Sequence, residues 1–443
     1  MTIASTVVPP LPAHSLMLFL GAIVVLLGLA RLLGALATRI GLPAIVGELA
    51  TGVLLGPSLL GHVLPGFADS FLPGPAEQMH LVDGLGQFAV LLLVGVTGTH
   101  LDLGAMRKRA KQATLVSLFG LVIPLALGVG LGLLLPAALM GETGGRAVFA
   151  LFIGVAMCVT AIPVIAKTLS DMRLLHRDIG QLTLGAGMID DAVGWLLLSI
   201  VAAAATTGIT AGVVTLSIVY LAGFVLLAVT VGRVLVRALM ERAARFEDSG
   251  PTVAAAVLLV VGGGALTHLL GLEPIFGAFV VGLLISQVPA AQPKLAPLRT
   301  VVLAVLAPLF LATAGLRMDL TALADPTVAI AAVVLLAVAI IGKFSGAYLG
   351  ARLGGLTKWE GLALGAGMNS RGVVEVIIAM TGLRLGVLNT ATYTMVVLVA
   401  IVTSVMTPPL LRYAMKRVVQ TEEENIRFLK HETWLGREPI RTG

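Results

Sequence analysis

The stretch LTLGAGMIDDAVGWLLLSIVAAAAT, from Leu182 to Thr206, contains two consecutive aspartates, Asp190 and Asp191, and no other charged residue. Its length and apolar character predict a membrane-spanning helix with both carboxylates near its middle. A carboxylate at bilayer depth costs roughly 2.5–3.5 kcal/mol on insertion scales, so an adjacent pair indicates a compensating role. We interpret the pair as a site that binds and releases small cations and protons.

The composition of the whole chain indicates an all-α polytopic membrane protein. Of its 443 residues, 58% are hydrophobic and 12% are charged, and the mean hydropathy is +1.04. Such a chain has too little polar surface to cover a soluble globule. The single cysteine, Cys158, excludes an intrachain disulfide. The net charge of +6 requires no nucleic-acid partner, because the basic residues fall in expected cytoplasmic loops.

Thirteen apolar runs approach the length needed to cross a hydrocarbon core of roughly 30 Å. Their predicted limits are 15–35, 43–60, 84–99, 113–137, 147–169, 181–205, 211–237, 252–270, 273–288, 299–316, 327–351, 359–382 and 391–414. We therefore expect about 13 transmembrane helices within a transmembrane domain of residues 1–414. Residues 415–443 are expected to form a short cytoplasmic tail, and we expect the first span to remain in the mature protein.

Lysine and arginine positions give an independent test of the span count, because cytoplasmic loops collect basic residues. With the N-terminus outside, 24 of the 29 basic residues lie on the cytoplasmic side. They fall within 31–39, 107–111, 167–177, 233–245, 294–299, 352–358 and 412–441. Only Arg146, Arg317 and Arg384 lie outside, whereas Lys343 and Arg371 fall within spans. The alternation predicts a multi-pass protein of the cytoplasmic membrane with its C-terminus in the cytoplasm.

An internal repeat predicts the architecture. The segment LPAIVGELATGVLL at 42–55 aligns with LEPIFGAFVVGLLI at 272–285, and GTHLDL at 98–103 aligns with GLRMDL at 315–320. These alignments equate span 2 with span 9 and span 3 with span 10. Because an offset of seven helices is odd, the two halves must have inverted topology, as in many secondary transporters. We predict repeats at 15–205 and 252–414, joined by a linker helix at 211–237.

The same register pairs span 5 with span 12, and both contain an interruption. Span 5 contains Thr160 and Pro163, and span 12 contains the polar run NSRG followed by an acidic residue. The polar residues of span 12 are Asn369, Ser370, Arg371 and Glu375. Two broken helices at equivalent positions of inverted repeats, crossing at mid-depth, predict an ion site at the midplane. For Pro163, an ordinary helix kink is the alternative interpretation.

Lys343 is expected to share the depth of the aspartates. Asp190 lies 13 residues from Arg177 and Lys343 lies 9 residues from Arg352, or about 20 Å and 14 Å along a helix. Adjacent helical residues point about 100° apart, so the two aspartates require different roles. We expect Asp191 to be the principal cation and proton ligand, with Thr160 and helix-end carbonyls as further oxygens. Asp190 then pairs with Lys343 when no cation is bound; a purely structural ion pair is the alternative.

These motifs together resemble the cation/proton antiporter superfamily, and the similarity extends over about residues 15–414. The residues that carry it are GELATGVLLGPS at 47–58, TAIPVIAKTL at 160–169, GMIDDAVGW at 187–195, FGAFVVGLLI at 276–285, Lys343 and GMNSRGVVE at 367–375. The chain is similar to prokaryotic monovalent cation/proton antiporters. Within that superfamily, the aspartate pair with Lys343 resembles the sodium/proton exchangers that move net charge.

The resemblance implies alternating access. The second aspartate of the pair, here Asp191, would bind the cation, and the first, Asp190, would pair with Lys343. Spans 1–3 and 8–10 would form a rigid panel at the interface of a homodimer, and spans 4–6 and 11–13 a mobile core. His100 replaces a glutamate common in relatives at the end of span 3, which makes an interfacial role or an altered entrance the open alternatives.

The rival function is sodium-coupled symport of an organic anion, since such symporters share a similar inverted fold. A lysine paired with aspartate at mid-depth favours exchange over symport. A channel suits the broken helices less well, and no nucleophile or metal constellation indicates an enzyme. The tail is short and contains no GxGxxG fingerprint, so no nucleotide or other cofactor is expected. The sequence leaves the choice between Na⁺ and K⁺ open.

Overall fold

A computed structural model describes residues 12–60, 76–99, 110–207 and 211–424 of the chain. Within these ranges the structure is helical, with an isolated antiparallel bridge between Met140 and Leu388. The α-helices in chain order are α1 (Ala13–Arg39), α2 (Ala44–Leu55), α3 (Ala76–Thr99), α4 (Ala110–Leu134), α5 (Gly145–Cys158), α6 (Ile162–Asp171), α7 (Asp178–Thr207), α8 (Ala211–Leu227), α9 (Arg233–Ala243), α10 (Gly250–Leu269), α11 (Pro274–Ser286), α12 (Ala296–Val301), α13 (Ala307–Leu316), α14 (Pro326–Leu353), α15 (Lys358–Met368), α16 (Val373–Arg384) and α17 (Thr390–Met415). Single π-helical turns at Ala228–Gly232 and Val302–Leu306 join α8 to α9 and α12 to α13.

Membrane-spanning length is common among these helices. Nine helical stretches in the described ranges are long and apolar enough to cross a membrane, or ten if α15 and α16, bent by 44°, form one broken span. Three shorter apolar helices, α2, α5 and α11, lie among them. The prediction of an all-helical polytopic membrane protein is therefore confirmed.

The helix ends follow local sequence signals. Asp325 and Asn389 accept backbone N–H bonds at the starts of α14 and α17, and Thr357 and Glu360 form a capping box at the start of α15. These side chains satisfy amides that the first helical turn leaves free. Pro163 occupies the second position of α6, where the missing N–H removes no helical hydrogen bond. Its backbone therefore belongs to the start of a half-helix, and its side chain lies outside the described set.

Glycines set the closest helix contacts. Gly52 of α2 packs against Gly315 of α13, and Gly98 of α3 packs against Gly282 of α11. At each contact an added Cβ would overlap the backbone of the facing helix. Small residues allow such approach in membranes, where association depends on van der Waals packing because lipid tails are as apolar as the side chains. Packing of α4 against α5 and α14 follows the same rule.

Replacing Gly52 with alanine is predicted to lower the thermal unfolding midpoint of the purified protein, because the methyl group would collide with the backbone at Ala312 and Gly315. The expected cost is about 1–3 kcal/mol, as for other overpacked interiors. Gly28→Ala in α1 is the matched control, since nothing lies within 4 Å of its added Cβ. Equal midpoints for the two variants would contradict the packing argument.

Candidate cation and proton site

Asp190 lies on α7 and is fully buried among hydrogen-bond donors from three other segments of the chain. Lys343 Nζ donates to its Oδ2 at 2.5 Å, and Ser117 Oγ donates to its Oδ1 at 2.5 Å. The Thr160 hydroxyl lies 2.9 Å from Oδ2 and also 3.0 Å from the carbonyl oxygen of Met368. Because a hydroxyl has one proton to donate, Thr160 can serve only one of these acceptors at a time.

Lys343 on α14 is also fully buried, and all three of its protons have acceptors. Besides Asp190, its ammonium donates to the carbonyl oxygens of Gly120 at 2.9 Å and Cys158 at 2.5 Å. Cys158 is the last residue of α5, where helix carbonyls have no partner within their own helix. The lysine therefore neutralises both a carboxylate and a helix end, which accounts for a cation at this depth.

A stripe of glycines lets Lys343 reach these partners. Gly342, Gly346 and Gly350 recur every four residues along α14 and face α4. An added Cβ at Gly342 would lie 3.1 Å from Cα of Pro124, and one at Gly346 would overlap the backbone at Phe119. Small residues at this spacing permit close approach of two helices. The approach brings the ammonium within hydrogen-bond distance of the α4 backbone.

Asp191 has a different environment from its neighbour. It is fully buried, and neither of its carboxylate oxygens has a hydrogen-bond partner among the described residues. An ionised buried carboxylate without a partner is costly, so it either accepts a proton or takes a cation. The helical offset of about 100° turns it away from Lys343 and the donors around Asp190. Such a group is suited to exchange of one bound cation for a proton.

The two interrupted helices meet beside this pair. The first interruption separates α5 from α6 at residues 159–161, and the second separates α15 from α16 at residues 369–372. The Ala161 N–H donates to the carbonyl oxygen of Ser370 at 3.0 Å, which joins the two breaks directly. Thr160, in the first break, also approaches the carbonyl oxygen of Met368 at the end of α15. The structure thus brings the two predicted interruptions together.

Arg371 stabilises the end of α5 from the second break. Its guanidinium is buried and donates to the carbonyl oxygens of Ala156 at 2.8 Å and of Met157. It also donates to Ala339 O and to Glu375 Oε1, each at 3.2 Å. Arg371 and Lys343 together cover the last three carbonyls of α5, the negative end of that helix dipole.

Further predicted residues lie at the same break. Asn369 and Ser370 are buried, and their side-chain polar atoms have no hydrogen-bond partner among the described residues. Glu375 Oε2 is likewise without one. Of these atoms, Asn369 Oδ1 and Ser370 Oγ are chemically suited to a hard cation, which prefers oxygen ligands. His100 lies outside the described residues.

Two contributors were not identified from the sequence. Ser117 is one of two hydroxyl residues in an otherwise apolar span, and no motif or spacing indicates that it faces Asp190. From the sequence, Cys158 indicated only that no intrachain disulfide forms; in the structure its thiol is buried and its main-chain oxygen accepts from Lys343. Main-chain acceptors have no sequence signal, because every residue contains one.

Comparison with known proteins decides the family. The family model described as the transmembrane sodium/hydrogen exchanger matches residues 22–415. The chain belongs to the sodium/hydrogen exchanger family. The resemblance to cation/proton antiporters is thereby confirmed, and exchange of monovalent cations for protons is the activity that this membership supports.

Individual relatives agree with the assignment. The chain is 33% identical over 401 residues to the Na⁺/H⁺ antiporter NhaS4 of Synechocystis sp., covering 90% of this exchanger and 97% of the relative. It is 30% identical over 364 residues to the Na⁺/H⁺-K⁺ antiporter GerN of Bacillus cereus, covering 82% and 87%. A solved structure of the sodium proton antiporter MjNhaP1 of Methanocaldococcus jannaschii has the same fold. That comparison has a TM-score of 0.66 at 15% identity and covers 91% of this chain and 99% of the other.

Replacing Lys343 with glutamine is predicted to destabilise this exchanger, because Asp190 would remain buried without its counter-ion. Breaking such a pair costs about 3–5 kcal/mol, so a clear fall in the thermal unfolding midpoint is expected. The double variant Lys343→Gln/Asp190→Asn should recover much of the loss, since neither charge remains. Arg237→Gln is the control, because this arginine is exposed. An unchanged midpoint in the single variant would contradict the predicted cost of leaving Asp190 unpaired.

Proposed function

We propose that this exchanger transports Na⁺, with K⁺ as a second candidate substrate, in exchange for protons by alternating access. The observation that carries the proposal is Asp191, whose two buried oxygens have no partner among the described residues although the adjacent carboxylate has three donors. A dehydrated monovalent cation requires oxygen ligands, and a carboxylate beside two helix breaks can supply them. A proton on the same carboxylate would exclude the cation by removing its charge.

In the proposed cycle Asp191 is the principal ligand, and Thr160, Asn369 and Ser370 are candidate further ligands. Cation entry would weaken the ion pair between Asp190 and Lys343, because the cation and the ammonium would compete for Asp190 Oδ2. The hydroxyl of Thr160 could then turn its proton toward Met368 O, freeing its oxygen for the cation. Arg371 and Glu375 would support the breaks without contacting the ion.

Electrogenic exchange is a separate part of the proposal. Moving net charge requires that more than one proton leave for each monovalent cation that binds. Asp191 can release one proton, and Lys343 is the group at the site that can release another when its pairing with Asp190 is broken. The support for this step is geometric: Lys343 Nζ lies 2.5 Å from Asp190 Oδ2 and both side chains are fully buried, so a cation that engages Asp190 would take away the counter-ion of the ammonium.

Thirteen spans in two inverted repeats remain our proposed architecture. The nine long stretches, the broken pair α15–α16 and the three shorter apolar helices correspond in order to the thirteen predicted spans. The contact of Gly52 with Gly315 also has a counterpart in the contact of Gly282 with Gly98. In the sequence alignment Gly52 is equivalent to Gly282, and Gly315 to Gly98. The predicted repeat therefore maps one glycine contact onto the other, which supports two halves of inverted topology.

The helices are proposed to form two parts that move relative to each other. The panel comprises α1–α3 and α10–α13, and the core comprises α4–α7 and α14–α17, with α8 and α9 as the linker. Glycine contacts such as Gly52–Gly315 lie inside the panel, and Gly346–Phe119 lies inside the core. Dense packing within each part and fewer contacts between them support sliding of the core against the panel. The panel is also the proposed homodimer interface.

The proposed orientation in the membrane follows from the basic residues. The N-terminus is placed outside and the C-terminus in the cytoplasm of the cytoplasmic membrane, on the strength of the basic loops. Under this orientation Arg384 and Glu273 lie at the outer side, where they form an ion pair at 3.0 Å between core and panel. Tyr393 OH of the core also donates to Ala314 O of the panel at 2.7 Å. These contacts would have to break as the outer side opens.

The central test is exchange in proteoliposomes with a preset proton gradient. Adding Na⁺ should dissipate the gradient for the unmodified protein, and Asp191→Asn should abolish the response to both Na⁺ and K⁺. The variant is expected to stay folded, because Asp191 makes no hydrogen bond to a described residue. Asp325→Asn, at the exposed N-cap of α14, is the control and should keep transport. Retained exchange in Asp191→Asn would refute the site.

An imposed membrane potential tests electrogenicity in the same vesicles. With equal ion gradients, the rate should change with the size and sign of the potential. A rate that does not depend on the potential would exclude net charge movement while leaving exchange itself supported.

Variants of the Glu273–Arg384 ion pair test the contact between core and panel. Glu273→Gln and Arg384→Gln should each shift the external cation concentration for half-maximal exchange by about twofold to fivefold, the range expected for a partly exposed ion pair. The double variant Glu273→Arg/Arg384→Glu should return toward the original value. Matching changes at Arg317 and Asp83, an ion pair within the panel, should give no such shift. Equal behaviour of the two pairs would contradict the proposed division.

A further inference from the structure

A cluster of aromatic and basic side chains lies at one membrane surface, away from the ion site. The rings of Trp359 and Tyr413 meet nearly edge to face, with centroids 6.2 Å apart and planes at 70°. The guanidinium of Arg417 lies 4.3 Å from the Trp359 ring and 4.6 Å from the Tyr413 ring. The ammonium of Lys358 lies 5.7 Å from the Trp359 ring. We call these four residues the aromatic–basic cluster.

Helix ends place the cluster at the boundary of the bilayer. Helix α14 ends at Leu353, α15 begins at Lys358 and α17 ends at Met415, and these three helices pack on one another. Exposed apolar side chains continue from the cluster along the helices: Leu353 at the end of α14 is 56% exposed, and Leu410, one turn before Tyr413 on α17, is 36% exposed. Tryptophan and tyrosine concentrate at this depth, where the ring is apolar on one side and its polar atom faces water.

The basic side chains of the cluster lack ion-pair partners in the part of the chain that the structure describes. Among the described residues, no carboxylate forms an ion pair with Lys358, Arg412, Lys416 or Arg417. The nearby Glu360 is engaged in the capping box at the start of α15. Stacking on two rings fixes the plane of the Arg417 guanidinium while leaving its N–H edge available.

We propose that the aromatic–basic cluster binds the headgroup of an anionic phospholipid. The phosphate would accept from the Arg417 fork and from Lys358, since a planar guanidinium matches two phosphate oxygens at once. The acyl chains would lie along the exposed faces at Leu353 and Tyr413. A lipid fits better than free phosphate, because the charged groups and the exposed apolar surface are continuous. Neither the exchange activity nor the ion site assigns this role.

The test uses Trp359 as its reporter, with the full chain in nanodiscs of phosphatidylcholine and phosphatidylglycerol. One lipid at a time has brominated acyl chains, and Trp359 fluorescence is the difference between the unmodified protein and Trp359→Phe. Brominated phosphatidylglycerol should quench as if enriched about fivefold over its bulk fraction, whereas brominated phosphatidylcholine should not. Equal quenching at equal mole fraction would overturn the proposal.

Variants separate the cluster from general surface charge. Lys358→Gln/Arg417→Gln should abolish the preference for phosphatidylglycerol, and Arg237→Gln/Arg242→Gln on α9, which removes the same number of charges, should keep it. A preference that survives the cluster variant, or disappears equally in the control, would assign the effect to surface charge and refute the cluster. Inorganic phosphate, compared with sodium chloride at equal ionic strength, should not displace the lipid. Displacement by phosphate would identify a free-anion site instead.

Discussion

The ion pair between Asp190 and Lys343 is the constraint on which the site depends. Each charge alone would be too costly at this depth, and their mutual attraction offsets desolvation only because every remaining donor and acceptor is also engaged. Ser117 and Thr160 donate hydrogen bonds to the Asp190 carboxylate, and two main-chain oxygens accept the other protons of the Lys343 ammonium. The pair therefore fixes four separate parts of the chain around one point.

The ends of the broken helices are also stabilised by buried charged side chains. A half-helix that ends inside the membrane leaves carbonyl oxygens that water cannot reach. Lys343 and Arg371 supply the donors for the end of α5, so the break persists without solvent. Asp191 is the carboxylate of the adjacent pair whose oxygens have no hydrogen-bond partner among the described residues. In the proposed exchange, a cation and a proton occupy it in turn.

Glycine spacing connects this chemistry to packing. On α14 the small residues before and after Lys343 bring that helix against α4, and α4 contributes both Ser117 and the carbonyl of Gly120. Replacing these glycines with larger residues would displace Lys343, although the glycines themselves have no side chain at the ion site. The aromatic–basic cluster lies where α14 and α15 join, so a bound lipid would contact the half-helix that leads to the second break.

The sequence by itself determined the helical class, the order of the apolar segments and the two interruptions, and it singled out Asp190, Asp191 and Lys343 as charges within apolar spans. Those features are local: apolar run length, proline and glycine placement, and charges in an apolar setting can be recognised without knowing what lies opposite. Tertiary structure alone decided that Ser117 faces Asp190, that Arg371 covers the end of α5, and that Asp191 has no partner among the described residues. Those contacts join residues 73 to 223 positions apart in cases such as Ser117–Asp190 and Lys343–Gly120. Helix rotation and close glycine contacts select them, and no local pattern encodes which face of one helix meets another.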